Sequence, residues 1–177
     1  MNLRLSSIVP VLAVLVSGCS PSFEVDLPDV EITQHGVKMA GVPETAQVGD
    51  ASVTSSFTFS SSTTAWAKRM NSAVFVHQVT IAASTGLADL DFIESARVTL
   101  AAPASSGSTI DLVNYDRSED APSNSSIEVT MLAPIDITSL WSADQMVIEL
   151  QVAGQLPGQD WTVDVTLTLS GNITYEF

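Results

Sequence analysis

Asp116, Glu119, Asp120 and Asn124 place four oxygen-bearing side chains within nine residues of a turn-rich stretch, DRSEDAPSNSS. Carboxylate and amide oxygens gathered in a loop suit calcium, which takes about 6–8 oxygen ligands. The stretch lacks the spacing of an EF-hand and does not repeat, so solvated loop charge is the preferred account of it. A second carboxylate group, Asp89, Asp91 and Glu94, would serve glycoside hydrolysis only if its members faced each other across a cleft. The two histidines are His35, in a turn-like His-Gly pair, and His77, inside the most apolar run of the chain. A buried imidazole needs only a hydrogen-bond partner or two to be a core residue. No G-x-S-x-G elbow is present and no His/Cys set has zinc spacing. These residues point to a non-enzymatic protein with calcium as a weak candidate ligand and no other cofactor.

The lone cysteine, Cys19, needs a different account. Arg4 is the only charge before Glu24, and an apolar run of nine residues follows it from Ile8 to Val16. A basic start, a short apolar run and small residues describe a secretory signal; a membrane span needs ~20 residues. Val16-Ser17-Gly18-Cys19 resembles the lipobox of bacterial lipoproteins, an aliphatic residue and two small ones before the cysteine. That resemblance covers residues 1–19 alone. It implies cleavage between Gly18 and Cys19, a covalent lipid on the Cys19 thiol, and acylation of the new amine. It also implies the outer membrane, since proteobacterial lipoproteins kept in the inner membrane tend to carry Asp where Ser20 stands. A single thiol cannot close an internal disulfide, so an exported chain with one cysteine is consistent with lipidation.

Beyond the signal, five basic side chains face twenty acidic ones. Phosphate binding requires a basic surface, which excludes nucleic acid as an expected partner. The same charge disfavours adhesion of the domain itself to anionic lipid and keeps an exported domain soluble. The expected partners are the membrane, through the anchor, and another envelope protein or a glycan.

The elements that would position any site are strands. Ser20 to Pro28 reads as a short tether, part of which is also a candidate first strand, because Phe23, Val25 and Leu27 already alternate with Glu24 and Asp26. Val30–Ile32 and Val37–Met39 flank the His35-Gly36 turn signal. Ala51 to Ser62 carries Val53, Phe57 and Phe59 in phase among serines and threonines, so it reads as an exposed strand. Ala73 to Ala83 is apolar on both faces, as a covered central strand is. Gly86 to Glu94 predicts a short helical turn, and Pro134 to Asp144 an irregular stretch or a single helical turn, anchored by Trp141. Ala96–Leu100, Thr109–Tyr115, Ile127–Met131 and Met146–Val152 supply further strands. The last is the most regular: Trp161, Val163, Val165, Leu167 and Leu169 share one face, and Ile173, Tyr175 and Phe177 continue the phase.

About eight alternating strands with no sustained helical period predict an all-β antiparallel sandwich, with an immunoglobulin-like strand order as the expected topology. The expected organisation is a cleaved signal at 1–18, a lipidated cysteine and tether at 19–28, and one sandwich domain at 29–177. A small outer-membrane barrel has the same strand pattern and a terminal aromatic, but an aromatic content of 6% is too low for two girdles. The expected function is a lipid-anchored binding or structural module of the bacterial envelope. Its alternatives are a calcium- or glycan-binding surface domain and, behind these, an envelope hydrolase.

Overall fold

A computed structural model of the chain describes residues 22–44, 51–60, 72–103, 109–117, 124–141 and 145–176. The described elements are, in order, β1 (Ser22–Met39), β2 (Ala51–Ser60), β3 (Ser72–Ala83), β4 (Ile93–Ala101), β5 (Thr109–Asp116) and β6 (Ser126–Asp136). A four-residue helix α1 (Thr138–Trp141), β7 (Gln145–Gly154) and β8 (Trp161–Glu176) complete them. The strands form two four-stranded sheets, ordered β1-β8-β3-β6 and β2-β7-β4-β5. Every pairing is antiparallel. The protein is an all-β antiparallel sandwich.

Strand order departs from the immunoglobulin-like expectation. In that fold the first strand pairs with the second, and the two sheets follow a different order. Here the pairs are nested, β1 with β8, β2 with β7, β3 with β6 and β4 with β5, and successive pairs lie in alternate sheets. That is the double Greek-key arrangement of a jelly roll. The barrel alternative is also corrected, because the two sheets are separate and pack apolar residues between them.

Alternation builds the core. Val163, Val165, Leu167 and Leu169 of β8 turn inward and are at most 2% exposed. Met146, Ile148, Leu150 and Val152 of β7 and Ala96, Val98 and Leu100 of β4 meet them from the facing sheet. A side chain of this kind fully buried contributes about 1.5–3 kcal/mol relative to an exposed one. In β3 the inward residues are Val74, Val76, Val79 and Ile81, so the phase slips by one residue after Val76. The slip is a β-bulge: His77 has no register partner between Val76↔Leu169 and Gln78↔Thr168. On the other side β6 leaves the ladder between Thr130 and Ile135.

Three local expectations change. Ser22 to Leu27 are not tether but the first part of β1, paired with Glu176 to Gly171. Their alternating pattern is strong enough to join β8, so the sandwich starts by Ser22 rather than at residue 29. His35-Gly36 is a bulge within one continuous strand, not a turn between two. Gly86 to Phe92 forms turns and bends without helix, tied by Asp89 Oδ1 accepting the Asp91 N–H at 3.1 Å, and Ile93 and Glu94 already belong to β4. Trp141 does anchor the stretch before β7. It is buried beside Phe59, and α1 is fastened to β3 by Ile137 N–H to the Val74 carbonyl and Val74 N–H to Thr138 Oγ1.

Candidate functional site: the outer face of the β2-β7-β4-β5 sheet

Because side chains alternate, the residues of these four strands that do not enter the core stand together on the opposite face. Register aligns them into rows. Ser52, Ala153, Ser95 and Asp116 form one, Thr54, Gln151, Arg97 and Asn114 the next, and Ser56, Glu149, Thr99 and Asp111 a third. A shallow depression of about 190 Å³ runs across the first two rows, lined by Ser52, Ser95, Arg97, Asn114, Asp116 and Gln151.

The depression carries hydroxyls, amides, a guanidinium and a carboxylate. Gln151 Nε2 donates to Ser52 Oγ at 3.1 Å, which orients the amide across two strands. Arg97 Nη2 reaches both carboxylate oxygens of Asp111, at 2.8 and 2.9 Å. Both partners are more than half exposed, so the pair adds at most about 1 kcal/mol of stability, and its effect is to hold the guanidinium over the face. A face of this kind both donates and accepts hydrogen bonds at several fixed points. It has no nucleophile–base pair and suits binding of a polar ligand.

The residues singled out from the sequence are dispersed. Asp116 stands at the end of β5 and borders the depression. Asn124 lies elsewhere, exposed, with its N–H donating to Asp91 Oδ1 at 3.2 Å. Glu119 and Asp120 lie outside the described residues, as do Gly18 and Cys19. Among the described residues no group of three His, Cys, Asp or Glu side chains converges to hold a metal ion. Asp91 is occupied by structure: it accepts from Arg117 Nη2 at 2.9 Å as well as from Asn124. His35 is exposed on β1, paired with Asp164, whereas His77 Nε2 is buried at the β3 bulge without a hydrogen-bond partner among the described residues. Among the described residues, no helix is long and apolar enough to cross a membrane.

Arg97, Asn114 and Gln151 escaped the sequence reading. Each lies in the polar phase of its strand, and that signal was present. Their adjacency depends on β7 lying between β2 and β4, which no local pattern reveals.

No family model matches the chain, and no curated protein does. Chains of solved structures do match. One comes from work described as the structural basis for the promiscuous specificity of the carbohydrate-binding modules from the beta-sandwich super family. It aligns over 83% of this chain at 10% identity with a TM-score of 0.34. The chain spans 55% of that structure's length, and the specificity named there belongs to that protein.

Proposed function

We propose that this protein is a lipid-anchored, non-enzymatic binding module of the bacterial envelope, with a glycan as the ligand of its polar sheet face. The observation that carries the reading is the depression across β2, β7, β4 and β5, where Arg97, Asn114, Asp116 and Gln151 stand side by side. Sugar hydroxyls both donate and accept, so they are matched by planar amides, carboxylates and a guanidinium held in fixed positions. An open face crossing several strands fits a stretch of polysaccharide better than a small molecule that needs enclosure. The acidic balance of the chain turns phosphate-rich polymers away.

The anchor is Cys19, by the lipobox resemblance. Two or three acyl chains, at ~0.8 kcal/mol per buried CH₂, make a durable attachment. Two residues lie between Cys19 and Ser22, so the start of β1 would sit within about 11 Å of the backbone of the acylated cysteine. Phe23 and Val25 at that end are 48% and 41% exposed, apolar residues where headgroups would meet them. With Ser20 after the cysteine, the proposed location is the outer membrane.

A protein partner is the second reading, favoured by Leu132, which is fully exposed where β6 departs from the ladder on a sheet edge.

Co-sedimentation with insoluble peptidoglycan and with envelope polysaccharides tests the first reading. Binding should occur and should weaken about tenfold when Arg97→Ala and Asn114→Ala are combined. Absence of binding, or binding indifferent to those substitutions, would reject the sheet face as a glycan site.

A further inference from the structure

A second depression lies at one end of the sandwich, where β8 begins. Its volume is about 330 Å³, within the range of small-molecule sites. Leu87, Pro157 and Trp161 supply apolar surface, and Thr85, Asp160 and Thr162 supply hydroxyls and a carboxylate. We propose that this depression is a binding site for a single neutral sugar ring, separate from the polar sheet face.

The walls are already in place. On one side Val42 N–H donates to the Pro157 carbonyl at 2.8 Å, and Gly41 N–H donates to Asp160 Oδ1 at 3.0 Å. Gly41 lies so close to the Gln159 backbone that a Cβ would collide with it, so only glycine allows the two segments to meet. On the other side the Ser84 hydroxyl donates to the Thr162 carbonyl at 2.9 Å and pairs with the Thr162 hydroxyl. Leu87 N–H returns to the Ser84 carbonyl at 3.1 Å. Trp161 is fixed by Phe92, edge to face, with ring centroids 5.0 Å apart. A site held this way loses little conformational freedom when a ligand enters.

The lining selects the ligand class. A neutral sugar has an apolar C–H face for Leu87, Pro157 and Trp161, and hydroxyls for Thr85, Thr162 and Asp160. The Asp160 carboxylate opposes anions. One of its oxygens already serves Gly41, which leaves the other as an acceptor for a hydroxyl. Trp161 Nε1, at the same residue, is buried and has no hydrogen-bond partner among the described residues. The indole N–H is therefore a reporter of changes beside the depression, not one of the groups that meet the ligand.

The site is also well placed for an anchored protein. Met39 pairs with Trp161 at one end of the β1–β8 ribbon and Ser22 with Glu176 at the other. At ~3.3 Å per residue, the depression lies roughly 50 Å along the ribbon from Ser22. This orientation rests on the Cys19 anchor; the site itself does not.

The test is a titration of the full chain in detergent with glucose, galactose and N-acetylglucosamine, followed by nitrogen-15 NMR of the indole N–H groups. There are three tryptophans, and Trp161→Phe identifies its own signal by loss. At least one sugar at millimolar concentration should shift the Trp161 signal saturably. Thr85→Val together with Asp160→Asn should weaken that binding about tenfold, and Leu87→Trp should abolish it by filling the space. Dispersed spectra of the variants establish that they fold. Arg97→Ala should leave this binding unchanged, so failure of the sheet-face reading and failure of this site are told apart. No saturable shift with any of the three sugars, or a shift that survives Leu87→Trp, would overturn the proposal.

Discussion

Asp164 closes the bulge that His35 and Gly36 make in β1. Two residues of β1 stand opposite one of β8, since Gln34 pairs with Val165 and Val37 with Val163. The Gly36 N–H, displaced from the ladder, donates to Asp164 Oδ1 at 2.8 Å, and Asp164 Oδ2 lies 2.8 Å from His35 Nδ1. Gly36 takes φ 65° there, a left-handed conformation that costs glycine nothing and other residues about 1–2 kcal/mol. The carboxylate replaces the ladder partner that the extra residue removes.

This relationship has a pH signature. The Gly36 N–H first, and His35 second, hold the Asp164 carboxyl below the ordinary carboxylate range, against a smaller opposing effect of burial. A group whose pKa is depressed on folding contributes stability above its unfolded pKa and loses it as pH falls through the folded value. Wild type should therefore melt above Asp164→Asn at neutral pH, and the gap should narrow as pH drops below about 4. Thermal melts of both proteins across that range check it; a gap constant with pH would mean the charge of Asp164 is not what the bulge uses.

Trp161 is 6% exposed and packs against Phe92 in the core. Trp161→Ala should cost about 3–5 kcal/mol, as large-to-small aromatic changes do. Chemical denaturation measures it, and an unchanged midpoint would place the residue outside the cooperative core. Trp161→Phe should cost less, because it keeps the ring contact and removes an unpartnered donor.

Cys19→Ala removes the only thiol. If the lipobox reading holds, the protein should leave the membrane fraction while the sandwich keeps its melting temperature, since the described strands begin three residues later. Fractionation followed by melting of the released protein reads both. Retention in the membrane without Cys19 would point to a different attachment.

Much of the sandwich was legible strand by strand. The inward residues of β8, from Trp161 through Leu169 and Ile173, are those its alternation picks out, and β4 and β7 follow the same rule. Trp141 was also readable, as the large aromatic that anchors a short irregular or helical stretch in the core. Misreadings cluster where a local signal has two meanings. His-Gly marks a turn or a bulge, and only the partner strand distinguishes them. Phe23, Val25 and Leu27 read as tether or strand, and their pairing with β8 decided it.

What the chain determined by itself is therefore the all-β class, the core face of each strand and the acidic surface, because period and charge are properties of neighbouring residues. Tertiary structure alone decided the nested strand order, the polar rows around Arg97 and the depression beside Trp161. Each of these joins segments far apart in sequence, and which segments meet depends on the summed fit of whole strands rather than on any single one.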